Sequence, residues 1–206
     1  MKKVIYFMLF IVAAIMLLPL CAKAQTQDRF TVLRKNNKDT VIEITESLGY
    51  VFAVHDGDSY TMQFAEKAKA RIAFIDFPEI AWPRIPATQP YGRVFGDSVR
   101  AMIKGKVLKY EILGYDKYER AIVDCMLNGK DLQLVFLEKG WCWLIPKKRG
   151  EKDDLGVVRR RKYQRAQSKA KDKKLGLWAG YTNNENEWVP PIAPWEFRKQ
   201  NALPSN

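Results

Sequence analysis

From Gly49 onward, apolar and polar positions alternate in short runs. Tyr50-Val-Phe-Ala-Val54 leads into Asp56-Gly57-Asp58 and then Ser59-Tyr-Thr-Met-Gln-Phe64, which predicts strand, turn, strand. Lys69 to Ile75 predicts a third strand that stops at Asp76-Phe77-Pro78, since proline cannot continue a ladder. On strand alternation, Arg71 shares a face with Ala73 and Ile75 and is half-buried. Val107 to Leu113 and Arg120 to Leu127 predict two more strands, the second ending at the hairpin signal Asn128-Gly129. Ahead of these, Thr40 to Thr45 alternates only weakly and predicts a short leading strand or hairpin.

Three segments carry helical spacing instead. Arg93 to Lys104 shows an apolar face of Val94, Val99, Met102 and Ile103, and Leu132 to Lys139 is a short helix closed by Gly140. A very basic helix from about Asp153 to Lys174 has a narrow stripe of Leu155, Val158, Tyr163, Ala166 and Ala170, and Gly176 stops it. Residues 80–92, with Pro83, Pro86 and Pro90, read as an irregular loop. The tail from Tyr181 holds Asn183-Asn184 and a proline cluster and reads as extended. Five strands with helices inserted and appended, without βαβ alternation, predict an α+β fold built on a small closed β-barrel.

Composition narrows the chemistry. The 206 residues contain one histidine, His55, which excludes sites built on two or more histidines, and three cysteines exclude a four-cysteine zinc site. Net charge is +12, which favours a polyanionic partner. Lys2 and Lys3 precede an apolar run from Val4 to Leu20, and Ala22-Lys23-Ala24 places small residues before Gln25: the pattern of a signal peptide over residues 1–24. Residues 4–20 as an uncleaved membrane anchor are the alternative. Lipoprotein anchoring at Cys21 is disfavoured by Leu20, which stands where a small residue is expected. Cleavage would remove three lysines and no acid, so the charge of +12 would become +9 and the basic balance would remain. Cys125 and Cys142 sit in apolar surroundings and read as buried free thiols, with a disulfide the alternative that an oxidising compartment permits.

The informative polar residues lie at strand ends. Asp56 and Asp58 share a turn, Asp76 closes a strand, and Glu79 follows beyond a proline. Carboxylates without histidine or thiolate are hard oxygen ligands suited to Ca²⁺ or Mg²⁺. Arg71 lies inside an apolar strand and Arg120 opens another. Each alone is an ordinary strand-edge arginine with its stem on apolar surface. Together with the acids they are the parts for phosphodiester hydrolysis: guanidinium groups to grip phosphate, a cation to offset its charge, and a carboxylate to activate water.

In this combination the chain resembles the thermonuclease (staphylococcal nuclease-like) family. The matching runs are VHDGDSY at 54–60, RIAFIDFPE at 71–79, QPYG at 89–92, DKYER at 116–120, LEKGWCW at 137–143 and KKLGLW at 173–178. The resemblance implies a five-stranded OB-fold-type barrel with three helices over residues 48–180, an N-terminal extension at 25–47 and a tail at 181–206. It implies one Ca²⁺ held by Asp58, Asp76 and the backbone carbonyl of Phe77, with Asp56 outside in contact through water. Glu79 resembles the general base, Arg71 and Arg120 the arginines that clamp phosphate, and Lys117 and Tyr118 match positions that contact a nucleotide phosphate.

There are departures. Phe77 stands where the family usually has threonine, which keeps the carbonyl and removes a hydroxyl; Phe77→Thr is then expected to change the rate by less than roughly tenfold. Glu119 replaces the usual glycine in this turn, and Leu144 to Lys148 lacks the tyrosines that often stack on nucleotide, a part left to Trp82 or Trp143. The basic helix from Arg159 to Lys174 is either a phosphate-contacting face or a solvated one. The Trp188 to Arg198 segment resembles an extension of some family members and is expected to pack two tryptophans onto the barrel. The implied function is an exported, monomeric, Ca²⁺-dependent endonuclease on DNA and RNA that leaves 3′-phosphates, without a stable protein partner. The rivals are an OB-fold nucleic-acid-binding module without catalysis, and a membrane-anchored adaptor that sets the basic helix against anionic lipid.

Overall fold

The structure is a computed structural model that describes residues 30–35, 38–43, 47–64, 66–147, 150 and 153–203. The leader expected at residues 1–24 lies outside these, as does Lys148. The chain divides into two compact units, residues 1–45 and 46–206. In the first, β1 (Phe30–Lys35) and β2 (Lys38–Glu43) form an antiparallel hairpin with Phe30 opposite Glu43.

The second unit opens with β3 (Ser47–Val54), β4 (Ser59–Gln63), β5 (Lys67–Ile72) and the two-residue β6 (Ile75–Asp76). Helix α1 (Gly92–Ile103) precedes β7 (Val107–Tyr115), β8 (Ala121–Leu127) and β9 (Lys130–Asp131). Then come α2 (Leu132–Glu138), β10 (Trp143–Leu144) and α3 (Val157–Asp172). A 3₁₀ turn (Gly176–Ala179) leads to β11 (Tyr181–Thr182), β12 (Trp188–Val189) and α4 (Pro194–Asn201).

Antiparallel neighbours run in the order β5-β4-β3-β7-β8, and a parallel pairing of β5 with β8 closes the sheet, with Arg71 opposite Ile122. The fold is therefore the expected α+β, five-stranded OB-type barrel. Register shifts in β3 between Val51 and Ala53, and in β7 between Ile112 and Gly114, supply the bends that closure requires. Asn128 and Gly129, both at positive φ, make the turn expected between β8 and β9. Val51, Tyr60, Met62, Ala70, Ile72, Leu108 and Val123 are fully or almost fully buried and belong to the barrel core. Helix α1 adds Phe95, Val99 and Ile103; Val94, expected on that face, is exposed. Helix α3 buries Tyr163, Ala166 and Ala170 as expected, while Val158 points to solvent.

Three further expectations need correction. The strand read as Lys69 to Ile75 is broken: β5 ends at Ile72, and Phe74 takes φ 67, a left-handed value that bulky side chains rarely adopt. Beyond the break, β6 changes partner and pairs with β10, Trp143 opposite Asp76. Nor is the tail extended. It forms the β11–β12 hairpin and then α4, a fourth helix beyond the three expected, which Pro194 starts from a position where no N–H is needed. Phe197 is buried and Trp195 packs against the core, but Trp188 is mostly exposed, so one of the two tryptophans, not both, joins the interior.

Candidate active site

At one end of the barrel a cleft of about 640 Å³ is lined by Asp56, Asp58, Arg71, Glu79, Lys117, Tyr118, Arg120 and Trp82, with Arg198 from the tail. Asp76 is buried beside it. The pairing of Ser59 with Arg71 between β4 and β5, and the parallel β5–β8 pair, bring three separate sequence motifs to this end.

Each acid is set by local structure. Asp56 Oδ1 accepts the backbone N–H groups of Asp58 (3.0 Å) and Ser59 (2.7 Å), a side-chain-capped turn that presents Asp58. Gly57, inside it, passes against the Phe77 ring where a Cβ would collide. Asp58 accepts the Ser59 hydroxyl at 3.0 Å and pairs with Arg71 Nη2 at 3.0 Å. The same nitrogen donates to Asp76 Oδ1 at 2.7 Å. Arg71, its side chain 23% exposed, thus bridges both acids.

Charge in this corner is under-compensated. Burial and the charge of Asp58 push Asp56 up to about 7, against its two backbone hydrogen bonds, and push Asp76 up to about 6. Burial also opposes ionisation of Asp58, but Arg71, a hydrogen bond with Asp76 and the Ser59 hydroxyl outweigh it and hold Asp58 below its ordinary range. Buried oxygen donors that repel one another are what a hard divalent cation satisfies, so the residues present fit Ca²⁺. Among the described residues no group of three or more His, Cys, Asp or Glu is placed to hold a metal by itself. Asp58 and Asp76 by themselves are therefore an incomplete ligand set. Cys125 and Cys142 are buried, free and held well above the usual thiol range by burial, which keeps both thiols protonated.

Arg120 is positioned by a residue that sequence reasoning passed over. Asp116 Oδ1 accepts the backbone N–H groups of Tyr118 (2.9 Å) and Arg120 (3.0 Å), and its Oδ2 accepts Arg120 Nε at 2.8 Å. Arg120 Nη1 donates to the Ser59 hydroxyl at 3.0 Å, so Ser59 joins the arginine to Asp58. An aspartate opening a short turn is a readable signal for such a role. Within this turn Glu119 takes φ 60. Removing its Cβ relieves roughly 1–2 kcal/mol of left-handed strain and adds roughly 0.5–1 kcal/mol of glycine entropy. Glu119→Gly is expected to stabilise by about 1 kcal/mol or less, read as a melting rise of up to about 2–4 °C.

Phe77 has a second role. Its ring is buried, packs edge-on against Phe136 with centroids 5.4 Å apart, and covers Gly57. Phe77→Thr is thus expected to lower stability by on the order of 3 kcal/mol, as for other large-to-small core changes, whatever it does to the rate. Chemical denaturation of the two proteins checks this.

Of the two tryptophans considered for stacking, Trp82 lines the cleft, whereas Trp143 is buried edge-on against Trp178 at 5.3 Å. Tyr118 is exposed, with the Lys117 ammonium 5.1 Å and the Arg120 guanidinium 5.5 Å from its ring centre. On α3, Arg159 is tied to Asp124 and Asp131, and Arg160 to Asp153, which draws two cations of the basic helix into internal pairs.

Fold and cleft together define an OB-type barrel carrying acids and arginines at one end. The family described as "Staphylococcal nuclease homologue" matches residues 57–180. The chain belongs to this family. It is 31% identical over 135 residues to "Staphylococcal-like nuclease CAN1" of Arabidopsis thaliana, covering 66% of this chain and 34% of that protein. It is 30% identical over 139 residues to "Probable endonuclease lcl3" of Pyrenophora tritici-repentis, covering 63% of this chain and 49% of that one. The chain spans about a third to a half of the length of these relatives.

Proposed function

We propose that the protein is an exported, Ca²⁺-dependent endonuclease that hydrolyses phosphodiester bonds of DNA and RNA and leaves 3′-phosphates. The observation that carries this reading is the convergence of Asp58, Asp76, Arg71, Glu79 and Arg120, from three separate motifs, at one cleft. Arg71 and Arg120 donate to phosphate oxygens, where a planar fork gives direction as well as charge. Glu79 takes a proton from the attacking water. Lys117 and Tyr118 meet a neighbouring phosphate, and Trp82 offers a face for a base. Asp58, Asp76 and the Phe77 carbonyl would hold Ca²⁺, whose contribution when bound is to offset charge on the phosphoryl group.

Export rests on the leader-like pattern of residues 2–24 and the action on nucleic acid on the family and its named nuclease relatives. The test is cleavage of plasmid DNA and of RNA in Ca²⁺, Mg²⁺ and EGTA. Products should prime a polymerase only after phosphatase treatment, which is the mark of a 3′-phosphate. Binding without cleavage under every condition would instead favour the non-catalytic OB module. N-terminal sequencing of protein recovered outside the producing cell reports whether the chain begins at Gln25.

A further inference from the structure

We infer that Arg198 is a positioning residue of the active site: the C-terminal helix delivers one guanidinium that fixes the carboxylate of Glu79 against that of Asp76. The inference rests on the roles proposed above for these two acids. Arg198 lies beyond the span matched by the family, which ends at residue 180.

The geometry is that of a clamp. Arg198 Nη2 donates to Asp76 Oδ2 at 2.8 Å, and Nη1 donates to Glu79 Oε1 while lying 3.4 Å from Asp76 Oδ1. One rigid, planar group therefore sets two carboxylates at a fixed separation, which a lysine, a point charge on a flexible stem, could not do. It engages one oxygen of Glu79 and orients the carboxylate as a whole. Hydrogen-bonded partners of this kind are what aim the carboxylates of a metal site. Arg71 holds Asp58 and Asp76, the two arginines share Asp76, and among the described residues Arg198 alone forms an ion pair with Glu79.

The tail that carries the clamp is built into the site. Gln89 holds Glu79 from both sides: its Oε1 accepts the Glu79 N–H at 3.1 Å and its own N–H donates to the Glu79 carbonyl at 2.9 Å. The same Gln89 donates from Nε2 to the Ile192 carbonyl at 2.7 Å. Farther along, the Leu203 N–H donates to the Arg84 carbonyl at 3.0 Å, and Phe197 is buried. Glu79 is thus held by backbone through Gln89 and by side chain through Arg198, and both are fastened to the tail. An exposed arginine on a loose segment would pay entropy for such contacts; here the helix has already fixed its backbone.

The test compares Arg198→Met, which keeps the stem, and Arg198→Lys, which keeps the charge, with the wild type. Both are expected to lose roughly 10–100-fold in kcat, the usual range for such supporting groups, with KM for DNA nearly unchanged. Added guanidinium ion should restore part of the rate to Arg198→Met and none to Arg198→Lys, a rescue that a merely structural role would not give. In EGTA, where no cleavage is needed, a melting cycle of Arg198→Met, Glu79→Gln and the double variant should show coupling, the second substitution lowering Tm less than it does alone. Unchanged kcat in folded variants, or no coupling in the cycle, would overturn the inference. A rise in kcat would also overturn it, since Arg198 would then be a plug. If the wild type itself fails to cleave, the proposed function is at fault, and the metal-free cycle still reports whether Arg198 holds Glu79.

Discussion

Asp58→Asn and Asp76→Asn proteins are expected to leave plasmid DNA intact at Ca²⁺ concentrations where the wild type degrades it. Ca²⁺ takes six to eight oxygen ligands, and in the proposed site this chain would offer two carboxylates and a carbonyl toward them. With so few protein ligands, removing one of the two negative charges removes a large share of the protein's hold on the ion. The fold of Asp58→Asn should survive. In Asp58→Asn the new amide keeps an oxygen for the Ser59 hydroxyl, Arg71 keeps its 2.7 Å bond to Asp76, and the repulsion that lifts Asp56 and Asp76 falls. Scanning calorimetry gives a second, activity-free reading. A ligand at a hundredfold its Kd stabilises by roughly 2.7 kcal/mol, so Ca²⁺ should raise the wild-type melting point clearly and those of the two variants little. Mg²⁺ should support cleavage poorly, because its strict octahedron leaves less freedom to accommodate substrate and water together. Full cleavage in EGTA, or an active Asp58→Asn protein, would reduce the acids to an ordinary turn.

The barrel was legible because its strands announce themselves by alternation, and the motifs DGD, RIAFIDFPE and DKYER sit at strand ends that barrel closure gathers. What alternation could not reach was the change of face after Ile72. In an unbroken strand Arg71 and Asp76, five residues apart, point to opposite sides. The left-handed step at Phe74 reverses that and leaves them 2.7 Å apart. A register slip of one residue has the same consequence in any sheet, and no local pattern marks it when the residue involved is a phenylalanine rather than a glycine. Arg198 was out of reach for a different reason. Its partners lie 119 and 122 positions earlier, and the proline cluster before it reads as extended chain when it in fact ends in a proline-started helix. Asp116 was visible but read as one letter of a motif, when its position at the head of the turn already specified its work.

Glu79→Gln is the other change with a large expected effect: kcat should fall by roughly 10²–10⁴, the span that general acid–base catalysis supplies. Gln cannot accept a proton from water near neutral pH, yet it has nearly the shape of Glu, so the backbone bonds to Gln89 that fix this position remain. Asp76 retains both of its arginine partners, Arg71 and Arg198, and the corner loses one negative charge that repels phosphate. Affinity for DNA should therefore stay level or rise slightly while turnover collapses, the signature of an interaction made in the transition state rather than in the bound substrate. The arginines give the contrasting pattern. Arg71→Lys and Arg120→Lys keep the charge and lose the planar guanidinium, whose Nη2 in Arg71 bridges Asp58 and Asp76 and whose Nε and Nη1 in Arg120 meet Asp116 and Ser59, and each should cost on the order of 10²–10³, as removal of one transition-state donor does. Single-turnover cleavage, with binding measured separately in EGTA, resolves the two effects. A Glu79→Gln protein that cleaves within about threefold of the wild-type rate, far outside the expected range, would remove Glu79 from the mechanism and leave it as the counter-charge of Arg198.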